Sequence, residues 1–148
     1  MAPGIDQNRF EDYEAIKKLK ARYFRFVDTK RWKEFGELFA KDAFFVSPET
    51  GRPTVRGREA IVERVRTFVK DAVTVHHGHM PEIELTGPAT ATAIWAMSDL
   101  LDDGTGVVEG RGHYEETYVK VDGEWKIRSS KLTRLRLVET ARSAEPRR

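Results

Sequence analysis

The hydrophobic pattern of this chain changes period once, and that change limits it to one class of fold. Up to about residue 70, apolar side chains recur at three- and four-residue steps, the spacing of a helix face. From His79 onward the segments HMPEIEL, TATAIWAMSDL, VVEGRGHYEETYVKV and EWKIRSSKLTRLRLV are rich in β-branched and aromatic residues and in places alternate every second residue. Helices first and strands afterwards is the order of an α+β domain, with N-terminal helices packed on a curved, mostly antiparallel sheet. The concave face of such a sheet is a natural pocket.

The first helix is expected over residues 8–27, where Phe10, Tyr13, Ile16, Leu19, Tyr23, Phe26 and Val27 form a stripe. Phe24 adds a second apolar flank. Asp28 stands one turn beyond it, at a position partly withdrawn from water. Trp32, Phe35, Leu38 and Phe39 mark a short second helix, AFFVS a strand and PETGRPTVRG a turn-rich segment. Ile61, Val62, Val65, Phe68 and Val69 mark a third helix over residues 58–70. Turn signals at 86–88 (TGP), 102–106 (DDGTG) and 122–123 (DG) divide the later strands into an antiparallel meander. The polar ends, including ETARSAEPRR, are expected not to pack, leaving a single domain over 1–148 with its core at about 8–138.

Composition narrows the function classes. A chain of 148 residues is large enough to enclose a pocket. No apolar run approaches the ~20 residues that span a bilayer, so no membrane role is expected. The N-terminal MAPGIDQNRF lacks the apolar centre of a signal peptide, and a cytoplasmic location is the expectation. Lys and Arg number 26 against 24 Asp and Glu, with the signs interleaved, which leaves no footprint for nucleic acid. The absence of cysteine excludes thiolate chemistry. With no Walker loop, nucleophile elbow or dinucleotide fingerprint, no cofactor is expected.

Tyr23 and Asp28, five residues apart in YFRFVD, and His76 in VHHGH are the parts of an acid–base site. Together with the order of elements and the DGEWK hairpin before the last strand, they resemble the SnoaL-like branch of the nuclear-transport-factor-2-like superfamily. Within that branch the stretches YEAIKKLKARYFRFVDTKRW, HHGHMPEIELTGPATATAIW and YVKVDGEWKI are most similar to bile acid 7α-dehydratases. Scytalone dehydratases and hexachlorocyclohexane dehydrochlorinases are more distantly similar and share the Asp/His pair. The resemblance implies a cone-shaped α+β barrel, a homo-oligomer (trimer or dimer) and a small, apolar, hydroxylated substrate held inside the cone. It also implies site positions at Tyr23, Asp28, His76 and Arg134.

The chemistry suits those residue types. Eliminating water next to a weakly acidic C–H needs a base near neutral pH, and imidazole, with a pKa of about 6.5, is already there. His76 is the candidate base, and Asp28 on its other ring nitrogen would hold the tautomer and stabilise the imidazolium. Tyr23 would donate to the oxygen on which charge develops, and Arg134 would orient a carboxylate, a phosphate-like group or a side chain at the pocket mouth. His79 and His113 are candidates for further polar contacts with substrate, and Trp32, Phe45, Trp95 and Tyr114 for the apolar wall. The expected function is therefore a cofactor-independent lyase, a dehydratase of a steroid-like or polycyclic hydroxy-ketone. An isomerase or epimerase using the same base, or a non-catalytic small-molecule-binding protein, stands as the alternative.

Each residue has a plainer reading. Asp28 precedes a second helix and would serve as its N-cap. His76 would be a solvated loop histidine just ahead of a strand, Tyr23 a core aromatic and Arg134 a solvated or interface side chain. The histidines His76, His77, His79 and His113 invite a metal, but HHGH lacks helical i, i+4 spacing and strand alternation turns His76 away from His77, so no metal site is expected.

Overall fold

The computed structural model describes residues 7–142. Helix α1 (Gln7–Asp28) and the short α2 (Trp32–Glu37) lead into strand β1 (Phe39–Val46). Strand β2 (Pro53–Arg56) and helix α3 (Arg58–Val69) follow. Four long strands complete the chain: β3 (Val73–Gly87), β4 (Thr90–Asp102), β5 (Gly106–Val121) and β6 (Glu124–Ala141). They form one six-stranded sheet in the order β2-β1-β6-β5-β4-β3. β3 to β6 are the expected antiparallel meander, with Asp122 and Gly123 both at positive φ in the last hairpin turn. Register shifts between His79 and Glu82, between Arg111 and Gly112, and between Thr117 and Tyr118 mark irregularities where strands bend, and the helices occupy the concave side.

Several boundaries differ from the sequence reading, each for a physical reason. β3 begins at Val73 instead of His79, so the three-histidine run lies in the strand and not ahead of it. Its alternation was hidden because Thr74, His76 and Gly78 turn inward while Val73 and Val75 are exposed, the reverse of the usual pattern. Phe39 opens β1 instead of closing α2, and β1 pairs with β6 in parallel, a long-range contact that local spacing does not record. The turn-rich segment contains β2, whose Pro53 stands at the first position of a sheet-edge strand. Glu139, Thr140 and Ala141, expected in a polar tail, continue β6 because backbone pairing with Gly106–Val108 needs no apolar side chain. The rest of both polar ends, 1–6 and 143–148, lies outside the described residues.

The core joins the α1 stripe to the inner faces of the sheet, from Ile16, Leu19, Tyr23 and Val27 to Trp95, Tyr114, Tyr118 and Ile127. Phe10, read as part of that stripe, is 61% exposed. Lys20 takes a place in it, fully buried, one turn from both Ile16 and Tyr23. Among the described residues no helix is long and apolar enough to cross a membrane.

Candidate active site

The end of α1 and the middle of β3 meet at one carboxylate. Asp28 is the last residue of α1, after which Lys30 adopts φ 60° and the chain closes with Lys30 N–H donating to Val27 O and Arg31 N–H to Phe26 O. This is a Schellman ending with a lysine in the left-handed position that glycine usually takes. The ending turns Asp28 away from α2, whose N-cap is Arg31 with no side-chain bond, so the capping reading fails. Asp28 Oδ2 accepts the His76 backbone N–H at 2.9 Å, and Oδ1 lies 2.7 Å from His76 Nδ1. Thr74 Oγ1 donates to Asp28 Oδ1 at 3.0 Å and receives the Lys30 ammonium at 2.9 Å. Partial burial lowers the Lys30 pKa, and the Asp28 charge opposes that.

An ionised carboxylate only accepts, so the Nδ1–H donates to Asp28 and the Nε2 lone pair is left free for chemistry. Both side chains are mostly buried, with 15% of His76 and 20% of Asp28 exposed. The imidazole stacks against Phe24 at 11° between planes and 6.5 Å between centroids. Phe24 has room because Gly78, two residues on along the inner face, has no side chain; a Cβ there would lie 2.6 Å from the ring.

Across the sheet His76 pairs with Asp99 of β4, and Asp99 with Gly110 of β5. Arg134 of β6 reaches over Gly110 and donates to both Asp99 oxygens, at 2.9 and 2.8 Å. Arg134 thus borders the cavity, but its fork is taken by Asp99, and that bond raises its pKa further. Asp99 escaped the sequence reading. Its signal was an acidic residue in step with Trp95 and Met97 on an otherwise apolar inward face.

These groups border a cavity of about 520 Å³. His76, Asp99, Arg134, Tyr23, Tyr114 and Ser130 supply its polar part. Val27, Val65, Val69, Leu101, Val108 and Leu132 supply apolar wall, and the β1–β2 segment contributes Phe45, Ser47, Pro48, Glu49 and Thr54. Tyr23 and Tyr114 are buried, which raises the pKa of both phenols and keeps them protonated.

Four expected contacts lie elsewhere. Trp32 lies in a separate groove between α2 and α3 with Arg58 and Val62. Trp95 is core, its indole N–H donating to the Tyr118 hydroxyl at 2.9 Å. His79 and His113 lie on the outer face of the sheet, in one cross-strand row through Ala96, because alternation places them opposite in sense to Gly78 and Tyr114. His77 is exposed on that face too, so the histidines are divided between two sides of the sheet. Among the described residues no group of three or more His, Asp or Glu is placed to hold a metal ion.

A curved sheet wrapped around an internal cavity, with helices closing its open side, is the cone of the nuclear-transport-factor-2-like superfamily. The chain belongs to the SnoaL-like family within it: residues 8–131 match the SnoaL-like domain. It is 30% identical over 135 residues to "Probable cyclase FGR4" of Gibberella zeae, covering 81% of this chain and 89% of that protein. Its fold is similar to that of a candidate scytalone dehydratase of Novosphingobium aromaticivorans (TM-score 0.81, 22% identity, 96% of this chain and 97% of the other). It is also similar to the type 3 hexachlorocyclohexane dehydrochlorinase of Novosphingobium barchaimii (TM-score 0.80, 20% identity, 96% and 100%).

Proposed function

We propose that this protein is a cofactor-independent lyase that removes water from a largely apolar hydroxy-ketone, with His76 as the base. The observation that carries this reading is the 2.7 Å contact between His76 Nδ1 and Asp28 Oδ1, which leaves Nε2 basic at the edge of a mainly apolar cavity. In the proposed reaction Nε2 takes a proton from the carbon beside the hydroxyl-bearing carbon, which lies next to the carbonyl or, in an enone, is conjugated to it through the C=C bond. The C–H electrons move toward the carbonyl oxygen, and Tyr23 donates a hydrogen bond to the negative charge that develops there. Collapse of that enolate forms the C=C bond and expels the hydroxyl, which leaves as water with the proton held on the imidazolium. Asp28 stabilises the imidazolium between the two transfers.

A volume of about 520 Å³ suits a fused-ring substrate of steroid size. The resemblance to bile acid dehydratases makes 3-oxo-Δ4 7α-hydroxy steroid acids the first compounds to test. Mass spectrometry for loss of 18 Da (one water, roughly the signature of any hydro-lyase) with wild type, His76→Ala and Asp28→Asn is the experiment. Turnover that collapses in both variants supports the reading, and absence of wild-type turnover across hydroxy-ketones refutes it. The relative named a probable cyclase favours a second reading, in which the same base moves a proton without loss of water. Wild-type exchange of substrate hydrogen with deuterated solvent, without mass loss, would identify that case.

A further inference from the structure

Beneath the cavity lies a charged pair that the proposed proton transfer does not use. Lys20 is fully buried and donates to Glu116, itself only 2% exposed. The Tyr118 hydroxyl and Ser130 Oγ donate to the same carboxylate. Three donors converging on one carboxyl group fix it as the anion, and a buried anion persists only beside its countercharge, which is the Lys20 ammonium. Packing does not require this arrangement, because a methionine and a glutamine would fill similar space without desolvating two charges.

The ammonium is also placed against aromatic faces. Its nitrogen lies 3.9 Å from the centroid of the Tyr23 ring and 3.7 Å from that of Tyr114. Both rings border the cavity. We propose that Lys20, anchored by Glu116, is a positioning residue for these two phenols, holding their rings at the cavity wall and strengthening their O–H groups as donors to an oxyanion on the bound ligand. A cation over a ring is attracted to the negative face, which resists ring rotation away from it. The same charge draws electron density from the ring and leaves the hydroxyl hydrogen more positive. The effect opposes burial and the nearby Glu116 and Asp99 charges, each of which makes both phenols weaker acids. This inference rests on the cavity being the reacting site, and it names the class of ligand the cavity favours: one that carries or develops a phenolate- or enolate-like oxygen.

The test reads a bound oxyanion and not turnover, so it is separable from the lyase reading. 4-Nitrophenol is titrated spectrophotometrically in the presence of wild type, of Lys20→Met/Glu116→Gln, and of Lys20→Gln. The double variant removes both charges together, and Lys20→Gln is the second variant should the double variant fail to fold. In wild type the bound probe should ionise at lower pH than free 4-nitrophenol. Removing Lys20 should make its ionisation constant about tenfold smaller while affinity for the neutral phenol stays within about threefold. In a Tyr23→Phe/Tyr114→Phe background the Lys20 substitutions should no longer move the titration. A probe that does not bind, that binds without easier ionisation, or that titrates identically with and without Lys20 overturns the proposal.

Discussion

Arg134 grips Asp99 with two parallel hydrogen bonds, of 2.9 and 2.8 Å, through space that exists only because residue 110 is glycine. A Cβ at Gly110 would lie 1.8 Å from Arg134 Nη1 and 2.3 Å from Asp99 Oδ1. The atoms in the way are the ends of side chains, which swing aside more cheaply than backbone. Gly110→Ala should therefore change stability by less than about 1 kcal/mol, since alanine's backbone preference offsets part of the strain. The ion pair beside His76 would nevertheless be broken. Thermal unfolding close to wild type together with a fall of about tenfold or more in turnover is the expected outcome.

Gly78→Ala should behave in the opposite way. Its Cβ would meet Phe24 Cε2 at 2.6 Å and Cζ at 2.9 Å, and that ring is hemmed in by Tyr23, Tyr114 and His76. Overpacking of this kind costs about 1–3 kcal/mol. Urea denaturation should report that loss, and a midpoint unchanged from wild type would show that the ring has somewhere to go.

Asp28→Asn keeps the shape of the carboxylate but removes the charge that stabilises an imidazolium. Under the proposed reaction, turnover should fall by about 10²- to 10⁴-fold with KM within a few-fold. A loss confined to KM would assign Asp28 to substrate binding instead.

Thr74→Val removes the hydroxyl that links Lys30 to Asp28. The Lys30 ammonium is then left without that partner at a backbone position already strained by its positive φ. A loss of about 1 kcal/mol in stability is expected, read by chemical denaturation. Lys30→Gly in the same background should restore part of it by relieving φ.

Alkaline pH should destabilise the fold through its phenols. Burial raises the folded-state pKa of Tyr23, Tyr114 and Tyr118 above the usual value near 10. Their contribution is complete below that unfolded value and is lost as pH rises past it, because the unfolded chain sheds protons that the folded one keeps. Lys20 has the opposite sign, since burial lowers its pKa and stability from that group rises with pH up to about 10.5. Lys30, whose pKa burial also lowers, has the same sign as Lys20, and both contributions fade above pH 10.5, where the phenols dominate. Denaturation at pH 10.5 and 11.5 should show a decline of up to about 1.4 kcal/mol per unit for each phenol, reduced in Tyr118→Phe.

Much of this architecture was legible because periodicity is a local property. The stripe from Ile16 to Val27, the spacing of α3 and the turn at Asp122 and Gly123 each follow from residues within one or two turns of one another. The family was legible as well, because YFRFVD and HHGH preserve residue types at a fixed separation. That the polar residues Thr74 and His76 face inward was not legible, since a strand whose functional side is polar and whose outer side carries Val73 and Val75 inverts the expected pattern.

By itself the sequence determined the α+β order, the meander and the candidate pair of Asp28 and His76. Tertiary structure alone decided that His79 and His113 face outward, that Asp99 already occupies Arg134, and that a buried lysine lies beneath Tyr23 and Tyr114. Those outcomes depend on which strands become neighbours and on the space two glycines leave between them. Contacts across 35 and 96 residues of chain, as in Arg134–Asp99 and Lys20–Glu116, are set by sheet register and packing and not by local spacing.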